Sequence, residues 1–324
     1  MERRVSMGDV AAAAGVSAQT VSRVVNASPR VDPATRARVE AAMERLGYQV
    51  NRTARALRTG RFHTIGVVVA TLATVGNSRM LEAVAAAAGA RGFGLTLVTL
   101  HPGARVADAF AQLQEQGVDG AIVLNEATAI ARDAALPAGL RIVAVDAPRS
   151  APYASVQSDH AGGAAEATAH LLGRGHRTVW HLAGPATSFA AEERMRGWRD
   201  ALAGAGATAP EAKRGDWSAA SGYAAGLRFA AQPEVTAVFA ANDQMALGLI
   251  RAFSESGRPV GDDVHVVGFD DVADAADFLP PLTTVRQDFD ALGEAAVEAL
   301  VASLADAAPA HAVLPARLVR RASA

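Results

Sequence analysis

The 324-residue chain contains no cysteine. Disulfides, thiolate zinc sites and cysteine nucleophiles are therefore excluded. Lysine is almost as scarce: Lys213 stands alone, and every other cationic side chain is an arginine. A P-loop needs Gly-Lys followed by Ser or Thr, and Lys213 is followed by Arg214, so that phosphate cradle is excluded. A lysine Schiff base would have to fall on Lys213, in a polar stretch beside that arginine. No stretch reaches the ~18 apolar residues of a membrane span. The Ala11–Ala14 run is short, broken by Gly15 and followed by polar residues, unlike a signal peptide. The expectation is a soluble, cytoplasmic protein with no membrane partner.

Signatures of catalysis are missing too. Gly89-Ala90-Arg91-Gly92-Phe93-Gly94 is glycine-rich, but its order is wrong for G-x-G-x-x-G. No G-x-S-x-G elbow is present. His176 and His181 make no metal pair, and His160, His170, His265 and His311 are scattered along the chain. The expectation is no enzyme, no cofactor and no metal.

Hydrophobic residues make up 50% and charged residues 20%, enough apolar material for sizeable cores. At roughly 150 residues per domain the length suggests about two domains. The formal net charge of -2 hides an asymmetry. Met1 to Arg61 holds eleven arginines against five acids, a net of +6, and the rest of the chain carries -8. A basic head on an acidic body fits a small nucleic-acid-binding module joined to something else.

Within the head, Ser6-Met7-Gly8-Asp9 offers a helix N-cap before the helical run Val10–Ala14. Gly15 permits a left-handed turn, and Ser17 can cap a second helix from Ala18 to about Asn26. That helix puts Val21, Val24 and Val25 on one side and Gln19, Ser22, Arg23 and Asn26 mostly on another. A third helix starts at Asp32-Pro33, buries Val39, Met43 and Leu46, and ends at Gly47. Three short helices with a glycine turn between the first two make a helix-turn-helix, whose second helix enters the major groove. Gln19 suits adenine and Arg23 guanine, while Ser17, Thr20, Ser22 and Thr35 suit phosphates.

Met7-Gly8-Asp9-Val10-Ala11, Ala14-Gly15-Val16-Ser17 and Gln19-Thr20-Val21-Ser22-Arg23-Val24-Val25-Asn26 together resemble the head of the LacI/GalR repressor family. So does Val50-Asn51-Arg52-Thr53-Ala54-Arg55-Ala56-Leu57. The resemblance implies that Asn51 to Leu57 becomes a hinge helix only on operator DNA. It also implies that Leu57 wedges into the minor groove there. Both fit physical expectation: a short isolated helix is marginal in water, and an apolar wedge unstacks a base step. Ala18 is a departure, because part of the family has a large aromatic base reader there. Alanine can touch a thymine methyl, so the operator need not be that branch's.

From Phe62 onward, apolar runs alternate with amphipathic stretches. Strand-like runs are 65–70, 94–100, 120–124 and 142–145, then 178–182, a short piece around Lys213, 237–240 and 264–268. Helical stretches fall near 78–91, 106–116 and 128–134, then 161–173, 190–203, 219–230 and 244–256. Two such series predict two lobes of parallel sheet covered by helices, with a ligand cleft at the strands' carboxyl ends. Asn125, Asp146, Asn242, Asp270 and Asp271 fall at those strand ends. Each alone also fits a turn-former or helix cap. With Arg194 and Trp217 they form a set suited to a sugar: planar polar groups for adjacent hydroxyls and an indole for the ring face. Trp217 alone fits core packing equally well.

The resemblance extends into this body. Gly215-Asp216-Trp217-Ser218-Ala219, Ala241-Asn242-Asp243-Gln244-Met245-Ala246-Leu247-Gly248, Val267-Gly268-Phe269-Asp270-Asp271 and Pro280-Pro281-Leu282-Thr283-Thr284-Val285-Arg286-Gln287-Asp288-Phe289 all look like the same family. It implies a periplasmic-binding-protein-like core. By position it implies effector contacts at Asn125, Asp146, Arg194, Trp217, Asn242, Asp270, Gln287 and Phe289. Thr74, Gly76 and Asn77, with Met80 nearby, stand where part of the family has an apolar wall. The implied effector therefore has a galactoside-like core with the attached group left open. Some members carry a C-terminal heptad helix that turns dimers into tetramers. Here the chain stops at Ala324 without one, which leads to the expectation of a homodimer. Val84, Ala87, Ala88 and the stretch 291–304 fit either its interface or a core.

The expected organisation is a DNA-binding head at 1–50, a hinge at 51–61, and a two-lobed effector-binding and dimerisation domain at 62–324. The expected function is a sugar-responsive repressor that binds a palindromic operator as a dimer and is released by the sugar. The same fold acting with a corepressor is the alternative. A transport sugar-binding protein is opposed by the basic head and the missing secretion signal.

Overall fold

The computed structural model describes residues 5–25, 28–48, 61–100, 103–125, 127–128 and 139–324. The chain divides into two compact units, Met1–Phe62 and His63–Ala324. Asn26, Asn51, Leu57, the 51–60 part of the hinge and most of the helix expected at 128–134 lie outside the described residues.

The head contains α1 (Met7–Ala14), α2 (Ala18–Val25) and α3 (Pro33–Leu46). Ser6 and Asp9 close a reciprocal capping box on α1, which satisfies two orphan backbone donors. Gly15 ends that helix at φ 65°, the left-handed geometry that makes the turn. Asp32 caps α3, Pro33 occupies its first turn, and Gly47 stops it at φ 61°. Val10, Val21, Val24, Val39 and Ala42 form the small core. Met43 and Leu46 are half-buried against it rather than central.

The larger unit has two six-stranded sheets. The first lobe is built on β1 (Thr64–Val69), β2 (Gly94–Thr99), β3 (Gly120–Leu124), β4 (Arg141–Val145), β5 (Ala154–Ser158) and β11 (His311–Leu314), ordered β11-β5-β4-β3-β1-β2. The second is built on β6 (Trp180–Ala183), β7 (Lys213–Arg214), β8 (Ala237–Ala240), β9 (His265–Asp270), β10 (Thr283–Arg286) and β12 (Arg317–Val319), ordered β12-β10-β9-β8-β6-β7. All pairings are parallel except β10 with β12, so the second lobe is not the wholly parallel sheet expected. Each sheet has an apolar layer on both faces, which is why its central strands are near-continuous hydrophobic runs.

α4 (Val75–Ala90) and α5 (Val106–Glu115) flank the first sheet. α6 (His160–Gly173), α7 (Phe189–Gly204), α8 (Ala219–Ala230) and α9 (Asp243–Glu255) flank the second. The late helix α10 (Phe289–Leu304) returns to the first lobe and packs on α4, β3, β4 and β5. Val84, Ala88, Leu292, Ala296, Val297 and Leu300 are buried there in one cluster, so the open choice between interface and core resolves to core for these side chains. The lobes are therefore not two consecutive halves of the chain. Three segments cross between them: β5 to α6, β10 to α10, and β11 to β12.

Candidate functional site

The carboxyl ends of the strands in both lobes face one cavity, lined by residues of both lobes. All eight side chains named above for the effector line it. Asn125 follows β3, Asp146 follows β4, and Asp270 ends β9. Their φ values are 49°, 61° and 118°, and Asp271 follows at 53°. Asn and Asp tolerate such geometry better than other side chains do, and strain of this kind collects at ligand sites. Asp271 does not line the cavity: it pairs with Arg286 Nε at 2.6 Å and Arg321 Nη2 at 2.8 Å.

Arg194, from α7, is only 4% exposed. Its Nη1 donates to the Ala241 carbonyl, and its Nη2 lies 3.5 Å from Asp270 Oδ1. The guanidinium sits 3.8 Å from the Phe269 ring centroid and 5.7 Å from that of Trp217, so both rings share its charge. Gln287 Nε2 donates to Asp270 Oδ1 at 2.6 Å. Burial pushes the Asp270 carboxyl above its ordinary range, with Arg194 and then Gln287 working the other way. A buried carboxylate whose partners are one cation and one amide keeps acceptor capacity for hydroxyl donors.

Asn242 is a helix cap and a cavity-lining residue at once. Its Oδ1 accepts from Met245 N at 2.9 Å and caps α9, while its Nδ2 donates to the Trp217 carbonyl at 3.0 Å. Trp217 is likewise both buried and a cavity wall. On the first-lobe side, Asn125 Nδ2 donates to Asn77 Oδ1, and Asn77 Nδ2 donates to the Thr71 carbonyl at 2.9 Å. Thr74, Gly76, Asn77 and Met80 line that side, with Phe289 and Leu292 from α10.

Sequence reasoning missed three residues around this site. His160 is buried and lies 2.7 Å from Asp146 Oδ1 through Nε2. Ser188 lines the cavity and caps α7. Asp243 is fully buried and accepts from Val272 N at 2.8 Å and from Thr284 Oγ1 at 2.5 Å, which fastens the start of α9 to the sheet. Burial, and then the Asp270 charge, hold the Asp243 carboxyl well above its ordinary range. Only Asp243 had a visible signal, its place beside a helix cap.

In the head, Ser17, Ala18, Gln19 and Arg23 are exposed, and Thr20, Ser22 and Thr35 are half-buried. Ser17 Oγ accepts from Thr20 N at 3.2 Å, so it serves first as the cap of α2. Thr35 Oγ1 accepts from Arg38 Nη2 at 3.3 Å. Arg36 Nη2 donates to the Ser28 carbonyl at 2.8 Å and ties the loop between α2 and α3 to α3. The exposed face of α2 therefore offers an amide and a guanidinium on a helix held by caps at its entry.

A capped helix-turn-helix carried on a chain whose two lobes enclose a polar cavity defines a ligand-controlled transcription regulator. Residues 6–51 match the bacterial regulatory proteins, lacI family, and residues 168–324 match the periplasmic binding protein-like domain. The Lactose operon repressor of Escherichia coli (strain K12) is 38% identical across 98% of this chain and 90% of its own length. The HTH-type transcriptional regulator CelR of Thermobifida fusca is 38% identical across 92% of each chain. The crystal structure of the Lac repressor dimer bound to operator and the anti-inducer ONPF superposes with a TM-score of 0.86 at 35% identity, covering 99% of both chains. A CelR–cellobiose complex superposes with a TM-score of 0.74 at 34% identity, covering 99% of this chain and 100% of that one. The chain belongs to the lacI family of bacterial regulatory proteins. It is a DNA-binding regulator and not an enzyme. Among the described residues no helix is long and apolar enough to cross a membrane.

Proposed function

We propose that this chain is a cytoplasmic, sugar-responsive transcriptional repressor. It binds a palindromic operator as a homodimer and lets go when a sugar fills the cavity between its lobes. The observation that carries the sugar reading is the convergence of Asn125, Asp146, Arg194, Trp217, Asn242, Asp270, Gln287 and Phe289 on one cavity. Carboxylates and amides take the hydroxyls of one sugar ring, and Trp217 covers its apolar face. Relatives that carry the names of lactose and ribose operon repressors, and one solved with cellobiose, support a saccharide effector. The effector has a galactoside-like or related core. The polar Thr74 and Asn77 side favours a hydroxyl-bearing attached group over an alkyl one.

In the head, Gln19 and Arg23 read base edges, and Ala18 contacts a thymine methyl. Ser17, Thr20, Ser22 and Thr35 hold phosphates, joined by Asn26 and Asn51. Leu57 is the minor-groove wedge of the hinge at 51–61. Two heads match two half-sites because the dimer's twofold axis mirrors the palindrome. The sugar acts by favouring one lobe arrangement over another, since a ligand shifts an equilibrium only through differential affinity.

Gel-shift titration on the DNA flanking the chain's own gene, with lactose, cellobiose and ribose added, tests this. Operator binding is expected without sugar and lost with at least one of them. Tighter binding on adding sugar overturns the inducer version in favour of a corepressor. Arg194→Ala is expected to bind operator as before and to lose the response. If it loses operator binding while folded, the division of roles is wrong.

A further inference from the structure

The β10–α10 crossover reaches the cavity, the β5–α6 crossover lies behind it, and a chain of hydrogen bonds and one ion pair joins them. Gln287, in the β10–α10 crossover, donates to Asp270 Oδ1 at 2.6 Å. The same oxygen lies 3.5 Å from Arg194 Nη2. Arg194 Nε donates to His160 Nδ1 at 3.3 Å, and His160 Nε2 meets Asp146 Oδ1 at 2.7 Å. An arginine N–H can only donate, so Nδ1 is the acceptor and Nε2 carries the hydrogen that reaches Asp146. The polarity of the chain is thereby set from Arg194 to Asp146.

His160 has an unusual address. It is the first residue of α6 in the second lobe, two residues after β5 of the first. It is 2% exposed, and its ring centroid lies 6.0 Å from that of Phe269 in β9. It takes one polar partner from each lobe: the Asp146 carboxylate at the end of β4 and the Arg194 guanidinium on α7. Asp146 and Arg194 line the cavity, whereas His160 stands behind them and lines a separate depression with Arg149, Gln157 and Glu193. The neighbouring Asp159 N donates to Leu314 O at 2.7 Å, which ties the β5–α6 crossover to the β11–β12 crossover. His160 thus sits in the β5–α6 crossover, one residue from its tie to the β11–β12 crossover, and is linked to the β10–α10 crossover through Arg194, Asp270 and Gln287.

We propose that His160 is a positioning residue that couples occupancy of the cavity to the angle between the lobes. This rests on the sugar reading of that cavity. Hydroxyls that engage Asp146 and Arg194 act on the two groups that hold His160. They favour the lobe angle at which sugar and imidazole bonds are satisfied together. In the other arrangement one bond to His160 lengthens, and a buried polar group loses its partner. The difference between the two arrangements is what lets a ligand on the cavity wall bias the crossovers behind it.

Glutamine at this position keeps one acceptor for Arg194 and one donor for Asp146, whereas leucine keeps neither. Full-length wild type, His160→Gln and His160→Leu are compared in two arms. His160→Asn, too short to reach both partners, stands in if the leucine variant fails to fold. Without ligand, hydrogen exchange is read at the backbone amides of Asp159–Gly162 and Arg286–Phe289. Exchange there is expected to rise about tenfold in His160→Leu and to stay at the wild-type level in His160→Gln. With lactose, cellobiose and ribose as probes, the ratio of operator affinities without and with sugar is read. That ratio is expected to fall about tenfold in His160→Leu and to recover in His160→Gln. Wild-type exchange and ratio in the leucine variant overturn the proposal, as does a glutamine variant that behaves like leucine. Wild type blind to lactose, cellobiose and ribose alike, with the exchange pattern as expected, overturns the sugar reading and upholds the link between lobes. Flat exchange with an intact sugar response does the reverse.

Discussion

A methyl group on Gly184 would stand 2.3 Å from Trp217 Cη2 and 2.4 Å from its Cζ2. The bare glycine after β6 is what allows the indole to lie against the strand end as a cavity wall. Gly184→Ala is therefore expected to push the ring out of place. Sugar affinity should fall about tenfold, a loss of about 1.4 kcal/mol, with ligand-free operator binding unchanged. Calorimetry with the sugar that releases wild type from DNA reads this directly. Unchanged affinity would show that Trp217 is core packing and no ring-face contact. Asn242 illustrates the same overlap of roles, since it caps α9 and holds the Trp217 carbonyl at once. Its replacement would change cap and cavity together, so Gly184 is the cleaner probe.

At the scale of elements, the second lobe's sheet carries a buried histidine with a pH consequence. His181 in β6 is fully buried, stacks on Phe239 at 4.9 Å and 10°, and donates through Nδ1 to the Phe239 carbonyl at 2.9 Å. Burial pushes its pKa down from 6.5 to about 3. The unfolded chain takes up this proton below 6.5 and the folded chain does not, so stability is full above that pH and falls as acid is added. The slope is about 1.4 kcal/mol per pH unit, continuing to the folded value. His176 and His265, bonded to each other at 2.7 Å, are also lowered by burial and act in the same direction. His181→Gln should flatten the decline in urea-unfolding free energy between pH 6 and 4 by about one proton. An unchanged slope would mean that the acid sensitivity arises elsewhere.

Central strands such as β1, β3, β4 and β9 were legible because burial on both faces demands unbroken Val, Ile and Leu. β5, β10, β11 and β12 were not, since they are short, mix polar with apolar residues, and include the sheet edges. The return of α10 to the first lobe was equally hidden, because an apolar helical face does not say which sheet it covers. Asn125, Asp146, Asn242 and Asp270 were legible as polar residues closing apolar runs. Gln287 and Phe289 rested on family resemblance alone. His160 looked like one of several scattered histidines, because its partners lie 14 and 34 positions away.

At the scale of the whole molecule, the net charge of -2 conceals a +6 head and a -8 body. The head's excess arginine supplies phosphate neutralisation, doubled in a dimer, so operator affinity should fall steeply with salt. Three crossovers join the body's two lobes, and the cavity at the strand ends is lined by residues beside one of them, the β10–α10 connection. On this reading sugar occupancy and operator binding weaken one another. The measurement that tests it most directly is operator affinity of the full-length chain on the DNA flanking its gene, across a saturating panel of galactosides and glucosides. A sugar that weakens binding by tenfold or more is the result predicted, within the usual ~5–150-fold range of allosteric coupling. Operator affinity unmoved or increased by every sugar that calorimetry shows to bind would contradict it.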